Sequence, residues 1–260
     1  MRVWTVANQK GGVGKTTTTV TLGAWLAYQG RPTLLVDLDP HGSLTAYFGL
    51  DPEGTEPSAY ALFQAAASHR EVPGELVRPT RLANLSLIPA APALATLDRQ
   101  LSGREGMGLV LARALRSWGD RYSHVLVDCP PMLGVLMVNA LAAADLLIAP
   151  VQTEFLALKG LERMIHTLDR VNQARRAPLP CVIVPTLFDR RTRASREALE
   201  ILRTRYTQRL WDGVIPVDTQ LRDASRLGDP LIQANRPSPG IAAYQVLRDT
   251  LETLSLPGEG

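Results

Sequence analysis

Short apolar segments recur along the chain at the spacing of strands in an α/β protein. Several are apolar at nearly every position, for example Leu34-Leu35-Val36 and Val125-Leu126-Val127. Continuous apolar runs of this length are typical of strands buried on both faces of a parallel sheet. The pattern predicts seven strands, at residues 3–7, 33–38, 85–89, 123–128, 146–151, 181–185 and 213–216.

Segments of helical length alternate with these strands. The predicted helices are residues 16–29, 105–118, 133–143, 157–173, 194–207 and 240–254. Such alternation is typical of a doubly wound, mostly parallel sheet with helices on both faces. We therefore expect an α/β fold in which residues 1–256 form a single domain. Residues 51–80 would be a less regular insertion and residues 257–260 a frayed tail.

Composition narrows the setting in which the protein works. Hydrophobic residues make up 45% of the chain and charged residues 20%, which is ordinary for a globular protein. No apolar stretch reaches the ~18 residues of a membrane span, and the N-terminus lacks the pattern of a signal peptide. Cys129 and Cys181 lie in apolar runs, which predicts buried thiols. We expect a cytoplasmic protein without a membrane partner.

A glycine-rich segment follows the first predicted strand and opens the first predicted helix. Its residues are Lys10, Gly11, Gly12, Val13, Gly14, Lys15, Thr16 and Thr17. Glycines let the backbone turn so that successive N–H groups point at one phosphate group, and a helix N-terminus adds positive potential there. Lys15 would reach the β- and γ-phosphates, and the Thr16 hydroxyl would bind Mg²⁺. An ordinary glycine-rich turn would not explain the Lys-Thr pair.

This segment departs from the strict P-loop pattern, which requires glycine where Gln9 stands. Its string Lys-Gly-Gly-x-Gly-Lys-Thr-Thr resembles the deviant Walker-A ATPases, a family that includes ParA and Soj, MinD, the nitrogenase iron protein and arsenite-pump ATPases. The resemblance implies that the chain binds ATP with Mg²⁺ as an ATP-dependent homodimer. Lys10 would reach the partner's phosphates, as an arginine finger does in other enzymes, and Gly12 would lie at the dimer interface.

Aspartates at two strand ends also match the family. Asp39 resembles the switch I carboxylate that orients the attacking water, and Asp128 resembles the Walker B residue. The resemblance thus implies Lys10, Lys15 and Asp39 as catalytic residues and Thr16, Asp39 and Asp128 as the metal site. Asp37 keeps two possible roles, support of Mg²⁺ or of the loop. Taken alone, an aspartate that ends a strand is more often a cap or turn residue.

The resemblance extends over nearly the whole chain. Residues 149–161 are similar to the ParA stretch P-V-Q-x-E … L-x-G-L, and residues 215–230 to its C-terminal pattern, which implies that Pro216 and Asp218 contact adenine. The last predicted helix lacks the basic face of a MinD-type membrane anchor. No helix-turn-helix segment precedes the first strand, so we expect the small, Soj-like form.

Arginines are concentrated in residues 186–226, where Soj-like proteins bind DNA. The resemblance implies non-specific DNA binding through Arg190, Arg191, Arg193, Arg196, Arg222 and Arg226. The alternative is a solvated helix face with ion pairs such as Arg196 with Glu200.

The implied function is an ATP switch that positions or segregates a cargo. ATP would drive dimerisation, and a ParB-like or polar-adaptor partner would stimulate slow hydrolysis to ADP and phosphate on the nucleoid or at a cell pole. The residues His41-Gly42-Ser43 are similar to those of ParA homologues that position chemotaxis arrays. His41 could lie near the γ-phosphate or could be a loop residue without a chemical role.

Two other classes of protein share parts of this pattern. One is a metabolic ATP-dependent ligase or amidase of the same fold, and the other is a regulatory module that binds nucleotide and hydrolyses little. The full set Lys10, Lys15, Asp39 and Asp128 argues against the second.

Overall fold

The computed structural model describes residues 1–68, 70–71, 75–104, 106–228, 230 and 238–254, so the predicted tail at residues 257–260 lies outside the described residues. The strands are β1 (Arg2–Val6), β2 (Thr33–Asp37), β3 (Arg78–Pro79), β4 (Leu85–Ile88), β5 (His124–Asp128), β6 (Leu146–Gln152) and β7 (Cys181–Thr186). The helices are α1 (Lys15–Tyr28), α2 (Ser43–Tyr47), α3 (Ala59–Ala67), α4 (Leu94–Leu101), α5 (Val110–Ser117), α6 (Val135–Ala143), α7 (Phe155–Ala174), α8 (Arg193–Arg205), α9 (Thr219–Leu227) and α10 (Pro239–Thr253).

The strands form one sheet in the order β3-β4-β2-β5-β1-β6-β7. Every neighbouring pair is parallel except β3 with β4, which confirms the predicted doubly wound α/β fold. β1 lies between β5 and β6, and the register places Asp37 at the end of β2 beside Asp128 at the end of β5. Since parallel strands end at the same edge of the sheet, the loops that follow β1, β2 and β5 meet there.

Helices cover both faces of the sheet, so side chains that alternate along a strand enter two different cores. Trp4 and Leu35 pack on one face with residues of α1, α9 and α10. Leu34 and Val125 pack on the other face with residues of α3 to α7. Burial on both faces explains why the strands are apolar at successive positions. No helix in the described ranges has the length and apolar character needed to cross a bilayer.

The predicted strand at residues 213–216 was wrong. Near this segment the N–H of Ile215 donates to the carbonyl of Pro185 on β7 at 2.8 Å. Isolated bridges join Pro216 to Phe188, which follows β7, and Leu210 to Ile183. A proline cannot donate to a strand ladder, and both Pro185 on β7 and Pro216 lie along this edge. The chain therefore follows β7 without completing an eighth strand.

Several helices were not predicted from the sequence. The supposed insertion at residues 51–80 contains α3 and the short strand β3, and α2, α4 and α9 also lie in segments that had no predicted helix. The predicted helix 105–118 is α5 preceded by a 3₁₀ turn at Met107–Leu109, with residue 105 outside the described ranges. These elements are short, so the helical period is repeated too few times to be recognised.

Candidate nucleotide-binding site

The glycine-rich segment forms a loop between β1 and α1. Gly12 and Gly14 have φ of +74° and +88°, a left-handed conformation that side-chain-bearing residues rarely adopt. Gly14 is the N-cap of α1, so the first N–H groups of the helix open into the loop. Lys15 is nearly buried and its Nζ donates to the carbonyl of Lys10 at 3.2 Å. Lys10, Gly11 and Gly12 are exposed. The loop thus has the conformation expected of a phosphate cradle.

The first turn of α1 contacts the end of β5 through two hydroxyl groups. Thr16 Oγ1 donates to Asp128 Oδ2 at 2.7 Å, and Thr19 Oγ1 lies 3.5 Å from Asp128 Oδ1. Burial raises the pKa of the Asp128 carboxyl, while the hydrogen bond from Thr16 and the charge of Lys15 lower it. A positive charge beside this carboxylate would stabilise its ionised form.

Asp37 holds the loop that follows β2. Its carboxylate is fully buried and accepts bonds from the N–H and hydroxyl of Thr45, at 2.8 and 2.7 Å, and from the N–H of Asp39 at 3.1 Å. Burial, followed by repulsion from Asp128, raises the pKa of Asp37. Of the two roles considered for Asp37, these contacts support the second: it fixes the loop and the start of α2.

The residues predicted to bind Mg²⁺ suit a magnesium ion that is completed by phosphate and water. Thr16 and Asp128 carry hard oxygen donors and are in direct contact, and Thr16 and Asp39 line one cleft of the surface. Within the described ranges, no three His, Cys, Asp or Glu side chains form a metal cage. Mg²⁺ usually binds one or two protein oxygens together with substrate phosphates and water, and these side chains could provide those protein oxygens.

A cleft of about 820 Å³ opens over the loop. It is lined by Gly11, Gly12, Gly14, Lys15, Thr16, Thr17, Asp39, His41, Ser43, Ala46, Tyr47, Pro131, Leu187, Arg222 and Ser225. A smaller cavity of about 140 Å³ adjoins it and includes both predicted adenine contacts, Pro216 and Asp218. The cleft and the cavity share residues, so an elongated ligand could extend from one into the other.

Asp218 has a structural part in this cavity. Its carboxylate caps α9 through the N–H of Gln220 at 2.9 Å, and it accepts from Ser238 Oγ at 2.7 Å and from the N–H of Gly240 at 2.9 Å. The same side chain therefore joins the start of α9 to the start of α10. Three bonds to one carboxylate make Asp218 a residue that shapes the cavity wall.

His41 lies against Asp39. Its Nδ1 is 2.8 Å from Asp39 Oδ1, and the same oxygen accepts the backbone N–H of His41 at 3.0 Å. The imidazole is 81% exposed and lines the cleft, whereas the Asp39 side chain is only 14% exposed. His41 thus contacts the carboxylate predicted to orient water, which the sequence could not indicate.

The six arginines predicted to bind DNA fall into two groups. Arg190, Arg191, Arg193 and Arg196 are exposed at the start of α8, and Arg222 and Arg226 are exposed on α9. The expected pair of Arg196 with Glu200 is not the one that forms. Glu200 pairs with Arg203 at 2.8 Å, and Arg196 Nη1 donates to the carbonyl of Arg190 at 3.2 Å. Arg191 and Arg193 are paired with Asp189 and Glu197.

From the sequence, Gly160 and Leu187 had no predicted part in the site, and Arg222 was assigned to the DNA-binding surface alone. Gly160 of α7 packs so closely on the loop that a Cβ placed there would lie 2.7 Å from Lys10 Cβ. Leu187 has a φ of +51° and lines both the cleft and the cavity. Arg222 lines both as well. Gly160 had a signal in the stretch Leu158-Lys159-Gly160-Leu161, but strain at Leu187 and the position of Arg222 depend on tertiary packing.

The strand order, the glycine-rich loop after β1 and the Thr16–Asp128 contact define a P-loop nucleotide-binding fold with a deviant Walker-A segment. Residues 1–180 match the family model described as the AAA domain. The chromosome partitioning protein ParA of Myxococcus xanthus (strain DK1622) is 36% identical over 247 residues, which are 95% of this chain and 86% of that protein. The sporulation initiation inhibitor protein Soj of Bacillus subtilis (strain 168) is 34% identical over 244 residues, 94% of this chain and 95% of that protein.

The chain therefore belongs to the AAA domain family, among the relatives of ParA and Soj. A solved structure of cobyrinic acid a,c-diamide synthase from Mycobacterium smegmatis, with a bound ATP analogue and magnesium, is also similar. It is 36% identical, covers 97% of this chain and 94% of that one, and has a TM-score of 0.81. The partitioning proteins and the diamide synthase have different functions on one fold, so the fold does not decide between these functions.

Proposed function

We propose that this protein is a partition-type ATPase, a switch that dimerises on ATP and hydrolyses it to ADP and phosphate to position or segregate a cargo. The observation that carries the proposal is that the glycine-rich loop, Thr16 and Asp39 line one cleft, with Thr16 hydrogen-bonded to Asp128. Relatives named ParA and Soj support the same conclusion.

Each residue at the cleft has a distinct part in this proposal. The N–H groups of Gly11 to Thr17 and the Lys15 ammonium bind the phosphates. Thr16 and Asp128 would hold Mg²⁺, which would supply positive charge beside the transferring phosphoryl group. Asp39 orients the attacking water, and His41 orients Asp39 through the 2.8 Å contact. Asp37 keeps Asp39 in place through the backbone bond at 3.1 Å.

Exposure of the loop supports dimerisation over the nucleotide. Lys10, Gly11 and Gly12 are exposed, and an added Cβ at Gly12 would meet no atom within 4 Å in one protomer. A second protomer that covered this face could place its Lys10 on the neighbouring phosphates. Gly12→Val would block such a face, but its left-handed φ would also strain the loop. Lys10→Ala is therefore the cleaner variant.

The experiment that tests the proposal is light scattering on the Asp39→Ala protein with ATP-Mg or with ADP. We expect a dimer with ATP and a monomer with ADP, because hydrolysis no longer removes the γ-phosphate. Asp39→Ala with Lys10→Ala should bind ATP and remain monomeric. A monomer in every nucleotide state would contradict the switch.

The proposal also includes DNA binding by the dimer. Ion pairs at Arg191 and Arg193 are exposed, and exposed ion pairs add little to the stability of a protein, so phosphates of DNA could displace them. Arg190→Ala with Arg196→Ala should weaken random duplex binding and reduce the salt-dependence slope by about 2. Arg203→Ala with Arg205→Ala, at the far end of α8, is the matched control. Equal effects of the two pairs would remove DNA binding from the start of α8.

An amide-forming enzyme is the second candidate, because of the similarity to the diamide synthase structure. Amide synthesis that takes its nitrogen from glutamine requires a reactive thiol. Both cysteines of this chain are buried, and burial raises the pKa of each thiol, to about 12 for Cys181. Neither thiol suits that step. ATP hydrolysis that depends on cobyrinic acid would favour this candidate over the partition ATPase.

A further inference from the structure

Arg222 lies at the junction of the cleft and the small cavity. The lining residues of the cleft alone include Lys15 and Asp39, whereas those of the cavity alone include Ile215, Pro216 and Tyr244. The cleft therefore has the charged groups that suit phosphates, and the cavity has the apolar groups that suit a base. The residues that line both the cleft and the cavity are Gly14, Thr17, Leu187, Arg222 and Ser225.

Arg222 is the cationic side chain among these shared residues. Its helix, α9, packs against α2, and a Cβ at Gly228 would lie 2.9 Å from the carbonyl of Tyr47. α9 thus forms one wall of the cleft, held at its start by the cap from Asp218. Among the described residues, no carboxylate forms an ion pair with the Arg222 guanidinium, and the carboxylate of Asp218 is engaged by three other donors.

We infer that Arg222 is a nucleotide-binding residue that contacts the α-phosphate, a group that is present in both ATP and ADP. A nucleotide with its γ-phosphate at Lys15 and its base in the cavity would pass the junction at the α-phosphate. A guanidinium there forms a charge-assisted hydrogen bond to a phosphate oxygen. The inference rests on the proposed nucleotide site, and it separates Arg222 from the arginines expected to bind DNA.

The test measures the affinity of the full chain for ADP-Mg and ATP-Mg by calorimetry. Arg222→Ala should raise the Kd of both nucleotides by the same factor, about tenfold, since one charge-assisted bond is lost. Arg222→Lys should recover part of the affinity because it keeps the charge. Arg226→Ala, four residues further along the same exposed helix, should leave both Kd values within about twofold.

The opposing results are distinct from one another. Unchanged affinity for both nucleotides in Arg222→Ala would overturn the inference, whether DNA binding falls or not. A loss confined to ATP would also overturn it, because the contact would then be with the γ-phosphate or the second protomer. Absence of any nucleotide binding by the wild-type protein would instead refute the proposed function. A circular dichroism melt of each variant excludes unfolding as the cause.

Discussion

Replacement of Gly160 by alanine tests whether α7 positions Lys10. The added Cβ would lie 2.7 Å from Lys10 Cβ, 3.3 Å from Asn8 Oδ1 and 3.5 Å from the carbonyl of Gln9. Carbon atoms in contact are normally about 3.5–4.0 Å apart, so Lys10 has to move by roughly 1 Å. Lys10 Cβ is bonded directly to the backbone, and rotation of the side chain cannot relieve the contact.

Neighbouring contacts direct this displacement towards the phosphate loop. Asn8 Nδ2 donates to the carbonyl of Pro150 at 2.7 Å, and Gln9 Nε2 donates to Thr167 Oγ1 at 2.7 Å. Arg163 also donates to the carbonyl of Gln9, at 3.3 Å. Because residues 8 and 9 are held on both sides, the shift falls on Lys10 and the glycines that follow it.

Two opposing terms set the effect on stability. Alanine in a helix interior is favoured over glycine by about 1 kcal/mol, whereas overpacking costs about 1–3 kcal/mol. The net loss of about 0–2 kcal/mol should lower Tm by about 0–8 °C, at about 2–4 °C per kcal/mol for a chain of this size. A misplacement of about 1 Å can reduce catalysis on the order of 100-fold, so function should fall more than stability.

The assays are ATP-dependent light scattering, phosphate release and ADP affinity of Gly160→Ala. We expect dimerisation and hydrolysis to fall by about 10- to 100-fold while ADP affinity, which depends on Lys15, stays within a few-fold. Gly23→Ala is the matched control, because its Cβ would lie 2.6 Å from the end of the Leu35 side chain, in the core. Wild-type hydrolysis by Gly160→Ala would refute the reasoning, and so would an equal loss in both glycine variants.

Three further predictions concern other parts of the molecule. Asp218→Ala removes a helix cap and two more hydrogen bonds, so the free energy of unfolding should fall by about 2 kcal/mol and Tm by about 4–8 °C. Asp218→Asn keeps the cap and should lose less stability. Equal Tm values for the two variants would contradict this prediction. Burial, with the charges of Arg31 and Arg2, lowers the pKa of His124 from 6.5 to about 4. The unfolded chain therefore binds the proton more readily, and the free energy of unfolding should fall by about 3 kcal/mol as pH decreases from about 6.5 to about 4. Denaturant unfolding of His124→Gln should depend less on pH than that of the wild-type protein. His41→Ala should reduce hydrolysis by less than about tenfold with unchanged ATP affinity, and unaltered hydrolysis would leave His41 as a loop residue without a chemical role.

Much of the fold was predictable because its signals are local or periodic. β1, β2, β5, β6 and β7 were located within one or two residues, since burial on both faces makes each an apolar run. The glycine-rich loop was also recognisable from a local signal. The left-handed backbone at Gly12 and Gly14 favours glycine, so the residue type at these two positions indicates the conformation. The segment 213–216 has a similar composition and failed because a strand also requires a ladder partner along its length.

The candidate site also has features that the sequence predicted and features that it did not. Sequence by itself predicted the phosphate loop after β1, Thr16 at the start of the helix that follows it, and Asp39 and Asp128 at the ends of strands. These residues were recognisable because the apolar pattern locates the strands, and parallel strands bring their carboxyl ends to one edge. Tertiary structure alone decided that Asp37 binds Thr45, that Gly160 packs on Lys10, and that Arg222 lines the cleft. These contacts join residues that are distant in the chain, so they depend on how helices dock on the sheet, and no local pattern encodes that docking.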